Sequence, residues 1–192
     1  MSGKKTIAVL CAGLLTLLIS NITSAEEAAP KSVIDLAPSL QEWGHNAVLV
    51  AAVKEQNAKG ITLDTIKKAD QEWMAATGVT PFMKAMMENP AAKELKKLEA
   101  SKPYFDELFL MDNQGANVAM TNKTSDYWQG DEDKFTESYK GGQGAVHIGK
   151  VKFDKSSQAY LVQVSVPVMD GGKAIGAITI GINVDELEKT GK

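Results

Sequence analysis

The chain has 192 residues, 44% hydrophobic and 23% charged, with 16 Gly and 6 Pro. That profile excludes a disordered tail, a collagen-like fibre and a disulfide scaffold. The formal net charge is −3 and all 21 basic residues are Lys, so with no Arg to read base edges and no basic stripe, nucleic acid is not an expected partner.

Residues 1–25 read as a leader. Lys4 and Lys5 form a positive start, Ile7 to Ile19 is uncharged and mostly apolar, and Thr23-Ser24-Ala25 offers small residues for cleavage before Glu26. The apolar run is shorter than the roughly 20 residues of a membrane span. Retention as an uncleaved anchor is the alternative; a lipoprotein is not, because Cys11 lies inside the apolar run behind bulky Leu10. Cleavage after Ala25 removes Cys11, the single cysteine. Thiol catalysis, Fe–S clusters, Cys-ligated zinc and c-type haem leave with it, and no cofactor is expected. The expected location is periplasmic or secreted, and residues 26–192 are long enough to build a core as a single domain.

Within that domain, 26–100 has the spacing of helices. Leu36, Leu40, Trp43, Ala47 and Val50 recur at intervals of three and four, which predicts one amphipathic helix ended by Gly60. Thr62 caps a second helix bearing Leu63, Ile66 and Trp73, and Thr80-Pro81 and Asn89-Pro90 each join a capping side chain to a proline suited to the first helical position. Residues 101–192 are richer in glycine and read as strands. Phe105 to Met111 runs into the turn Asp112-Asn113-Gln114-Gly115, and Asn117 to Met120 returns. Thr124 to Lys140 is a polar and aromatic insertion. Ala145 to Phe153 predicts a third strand. Tyr160 to Val168 predicts a fourth, with Tyr160, Val162, Val164 and Val166 on one face, and Ala174 to Val184 a central fifth, from which no helix is expected to continue into a membrane. The expected fold is α+β: an N-terminal helical layer packed on a five-stranded antiparallel sheet.

That order resembles the extracytoplasmic, PAS-like sensor modules called PDC or single Cache domains. The resemblance rests on Asn57 through Trp73, on Phe109-Leu110-Met111-Asp112-Asn113-Gln114-Gly115, and above all on Ser125-Asp126-Tyr127-Trp128-Gln129-Gly130-Asp131-Glu132; Val164 to Val168 with Gly176-Ala177-Ile178 looks like the closing hairpin. The resemblance implies a small metabolite held between the sheet and the inserted segment, and a displacement passed on towards a membrane. No kinase, cyclase or methyl-accepting region accompanies the module, so a free-standing sensor reporting to a separate membrane-bound signalling protein is expected.

The candidate site follows from the insertion. Tyr127 and Trp128 offer aromatic walls, Asp126 and Glu132 polar anchors, and His147 and Tyr160 a floor. An aromatic face with carboxylates suits an amine through cation–π attraction. The family resemblance implies a short organic acid instead, which would need Lys134, Lys150, Lys152, His147 or backbone N–H groups. Core packing of Tyr127 and Trp128, with Asp126 as a helix cap, is the structural alternative. Two histidines far apart make no zinc motif, and Asp131-Glu132-Asp133 lacks the spacing of a calcium loop. No Gly-x-Ser-x-Gly elbow is present and no enzymatic activity is expected. The competing function is a ligand-free interaction protein whose first helix pairs with a receptor or with a second copy; it requires the stripe from Leu36 to Val50 to be exposed.

Overall fold

A computed structural model describes residues 27–154 and 158–191. The expected leader, Cys11 and the expected cleavage point fall outside the described residues. Five helices come first: α1 (Lys31–Leu40), α2 (Ala47–Ala58), α3 (Leu63–Ala75), α4 (Pro81–Glu88) and α5 (Pro90–Glu99). The predicted caps are formed. Thr62, Thr80 and Asn89 accept hydrogen bonds from the Thr65, Met83 and Ala92 amides, and Gly60 follows α2 in the left-handed region.

The single first helix is a correction. It is broken by a 3-10 turn over Gln41–His45, and α2 restarts under its own cap, Asn46, whose side chain accepts from the Val48 and Leu49 amides. Gly44 explains why the break lies there: it presses on the Pro167 carbonyl, where a Cβ would collide with backbone. The break rotates the buried stripe, which is Val33, Ala37, Leu40, Leu49 and Val53. Of the expected stripe, Leu40 is buried, Leu36, Trp43 and Val50 pack against this chain's own core, and Ala47 is exposed. That cover counts against a free first helix kept for a partner.

The strands are β1 (Phe105–Met111), β2 (Asn117–Met120), β3 (His147–Ile148), β4 (Lys152–Asp154), β5 (Ala159–Asp170) and β6 (Lys173–Asn183), with α6 (Asp133–Tyr139) in the insertion. They form an antiparallel sheet in the order β2-β1-β6-β5-β3, β4 also pairing β5. This is the expected α+β, PAS-like arrangement, with its fifth position in two pieces. The predicted continuous strand from Ala145 to Phe153 is split because the Val151 amide donates to Glu27, at the start of the described chain, rather than to β5. The other end adds an element that the strand pattern did not show. A short helix, α7 (Val184–Thr190), follows β6, capped by the Asn183 side chain and seated by buried Leu187. No helix of the described residues is long and apolar enough to cross a membrane.

Alternation divides the sheet between two chemistries. One face carries Leu108 and Leu110, Val162 to Val168 at every second position, and Ile178, Ile180 and Ile182, covered by α1, α2 and α5 in the main core. The other face is mixed, and it positions the candidate site.

Candidate functional site

On the second face the alternate residues are Glu107 and Phe109 of β1, Leu161, Gln163 and Ser165 of β5, and Thr179 and Gly181 of β6. Pairing sets them in rows: Glu107 and Gln163 both face Gly181, while Phe109, Thr179, Ser165 and His147 follow one another across four strands. Gly181 has no side chain to hold the first row apart, so Gln163 Nε2 reaches across it and donates to Glu107 Oε1 at 2.9 Å. A Cβ on Gly181 would meet Glu107 Cγ at 2.5 Å. Ser165 and Thr179 share a buried hydroxyl hydrogen bond of 2.8 Å. Burial pushes the Glu107 carboxyl above its usual range; the Gln163 hydrogen bond and Lys134 pull it back, while Asp154 and Asp106 add to the rise.

The insertion forms the opposite wall. Lys134 pairs with Glu132 at 3.1 Å and lies over the Phe109 ring, 5.4 Å from its centroid. Between the walls is a cleft of about 660 Å³ lined by Glu107, Asp131, Glu132, Lys134, His147 and Gln163, among others. It adjoins a side chamber of about 430 Å³ where Gln129 joins Glu107, Phe109 and Lys134. Gln129 is 1% exposed; its Nε2 donates to the Asp126 carbonyl, but its Oε1 accepts from nothing among the described residues. Buried polar atoms are normally satisfied; Gln129 Oε1 is an orphaned acceptor sealed behind the chamber wall, whereas Glu107, half-buried, lines both the cleft and the chamber.

The six residues singled out in the sequence are dispersed. Glu132 and His147 line the cleft. Asp126 does not cap a helix: α6 begins at Asp133, and Asp126 accepts through its backbone carbonyl from Asn117, Thr124 and Gln129. Tyr127 is 3% exposed and packs 5.8 Å from Trp73 and 5.2 Å from Phe82. Trp128 donates from Nε1 to the Gln114 carbonyl, and Lys67 of α3 lies over its ring at 4.6 Å. Tyr160 is 53% exposed against Phe153, beside α7.

The distinctive Asp-Tyr-Trp-Gln run is held by α3. Asp70, 9% exposed, accepts from the Tyr127 and Trp128 amides at 2.8 and 3.0 Å, and Trp73 Nε1 donates to the Thr124 carbonyl at 2.9 Å. Asp70 and Trp73 thus act from one helical face on the segment that roofs the cleft. Among the described residues no cluster of three or more His, Cys, Asp or Glu is arranged to hold a metal ion.

No protein-family model matches the chain, and no curated protein matches it in sequence. Among solved structures, the ligand-binding domain of the Campylobacter jejuni chemoreceptor Tlp3 with L-norvaline matches over 83% of this chain and 63% of its own, at 15% identity and a TM-score of 0.42. The sensor domain of the V. cholerae histidine kinase DctB matches over 81% and 59%, at 13% identity and 0.39. An extracellular ligand-binding receptor from Desulfohalobium retbaense matches over 74% and 25%, at 15% and 0.40. The chain therefore spans less than two thirds of each of these three. At such scores the likeness concerns general architecture and says nothing of what this chain binds.

Proposed function

We propose that this protein is an exported, single-domain sensor module that binds one small, ammonium-bearing metabolite, of amine or amino-acid type, in the cleft between β1, β5, β6 and the 124–140 segment. The observation that carries this reading is Glu107, a carboxylate held by Gln163 where the cleft meets its side chamber and disfavoured in its charged form by burial. A protonated amine donates to Glu107 and neutralises a carboxylate that burial disfavours. Lys134, which lines the chamber as well as the cleft, and His147 in the cleft alone suit a carboxylate or other acceptor on the same ligand. Occupancy closes the 124–140 segment on the sheet, and β3 and β4, tied to Glu27, carry the displacement to a separate membrane-bound signalling partner.

The test is a thermal-shift and calorimetric screen of the protein against primary amines, α-amino acids and organic acids. Ligand at 100 times its dissociation constant adds about 2.7 kcal/mol to stability. The reading expects hits confined to ammonium-bearing compounds, weakened at least about tenfold by Glu107→Gln, the cost of a charge-assisted contact. Hits among organic acids alone, indifferent to Glu107→Gln, would overturn it.

A further inference from the structure

A second cavity lies away from the cleft, between α2, α3, α4 and α5, and is larger, at about 970 Å³. Its walls are alanines where helices face one another: Ala51 and Ala52 on α2, Ala69 on α3 and Ala85 on α4. Larger side chains there would fill the space, whereas alanine leaves it open. Ile66 and Met86 extend the apolar lining, and Val48 and Phe82, 41% and 46% exposed, flank it. The charges along it, Glu55 and Lys59, lie one turn apart on and just after α2 and pair with each other, so none is presented unpaired to the interior.

Small residues alone would make only a gap. The second observation is Tyr127, which lines the same cavity, is 97% covered by the protein, and whose hydroxyl forms no hydrogen bond among the described residues. The side chain as a whole is covered, yet its hydroxyl is not among the sealed, unpartnered polar atoms, so it keeps an opening through which a molecule in the cavity can bond it. Its ring is held by Trp73 and Phe82, and its backbone by Asp70 and Asn117, so it cannot turn away to find a partner elsewhere.

We infer that this cavity is a second ligand site, for a small amphiphile: an alkyl or aryl body among the alanines, with one hydroxyl or carbonyl oxygen at Tyr127. The apolar walls supply affinity in proportion to buried surface, and the phenol fixes the end of the ligand that enters deepest. A strongly charged head does not fit at the deep end beside Tyr127, where no charged side chain lines the wall; Glu55 and Lys59 lie on the exposed rim. Because Tyr127 belongs to the segment that roofs the polar cleft, ligand here stabilises that segment from its outer side. The inference is independent of what the cleft binds.

The experiment titrates octan-1-ol, octanoate and octylamine into the full chain by calorimetry, with sedimentation to follow its oligomeric state. Saturable binding of octan-1-ol at one site is expected, weakened about fivefold in Tyr127→Phe, the worth of one neutral hydrogen bond. It is expected to be lost in Ala69→Leu and, from the opposite wall, in Ala52→Leu, each shown to be folded by a cooperative melt, and unchanged in Glu107→Gln. Binding of octylamine alone, binding untouched by both filling variants, or a concentration-dependent dimer that covers the cavity and excludes octan-1-ol would each overturn the inference.

Discussion

Gly181→Ala probes the floor of the cleft. Gly181 does not have a positive φ, so alanine fits its backbone, and the loss of unfolded-chain entropy favours the variant by about 0.4–1 kcal/mol. Against this, the new Cβ meets Glu107 Cγ at 2.5 Å, and overpacking of this kind costs about 1–3 kcal/mol. The steric cost wins, and Gly181→Ala is expected to destabilise the protein by about 1–2 kcal/mol. In a Glu107→Ala background the colliding atoms are gone and the remaining Glu107 carbonyl contact is an ordinary 3.4 Å, so the same substitution becomes stabilising by about 0.4–1 kcal/mol. Urea denaturation of the four proteins gives the cycle, with a coupling of about 2 kcal/mol expected for residues in contact. Equal effects of Gly181→Ala in the two backgrounds would refute the argument that Glu107 lies folded over Gly181.

Burial raises the Glu107 pKa, so the folded protein holds that proton more tightly than the unfolded chain does. Its contribution to stability is present at low pH and is lost as pH rises from the ordinary glutamate value, about 4.3, through the raised one. Glu107→Gln should therefore gain stability relative to the parent over that window and hold the gain at neutral pH, read from melting temperatures between pH 3.5 and 8. Asp70→Ala leaves the Tyr127 and Trp128 amides unpaired, at a cost of about 2–4 kcal/mol, and should speed hydrogen exchange at both amides; unchanged exchange would mean that α3 does not hold the segment. Gly44→Ala drives a Cβ into the Pro167 carbonyl, where backbone cannot yield, and is expected to cost about 3 kcal/mol in urea denaturation.

What could be read from the sequence was what is encoded locally. Thr62, Thr80 and Asn89 act within three residues of their own position, and β1 and β2 are bracketed by a turn whose Asp112 accepts from Gln114 and Ala116. The break at Gln41–His45 escaped because the apolar spacing runs through it. Its cause is a contact with Pro167, more than a hundred positions away. The cleft was hidden for the same reason. Glu107, Gln163 and Gly181 meet only through the pairing of three strands, although the alternation of polar Gln163 and Ser165 with the valines of β5, and of Thr179 and Gly181 with the isoleucines of β6, was the trace left in the sequence. The Asp-Tyr-Trp-Gln run stood out by its chemistry, yet its backbone joins the edge of β2 through Ala116 and its aromatic side chains engage α3 and α4.

The most direct measurement of the central claim is an amide NMR titration with the tightest ammonium-bearing hit from the screen. Binding in the cleft predicts the largest shifts at Gln163, Gly181, Gly149 and Gln129, absent in Glu107→Gln. Shifts confined to α2, α3 and α4, or persisting unchanged in Glu107→Gln, would contradict it.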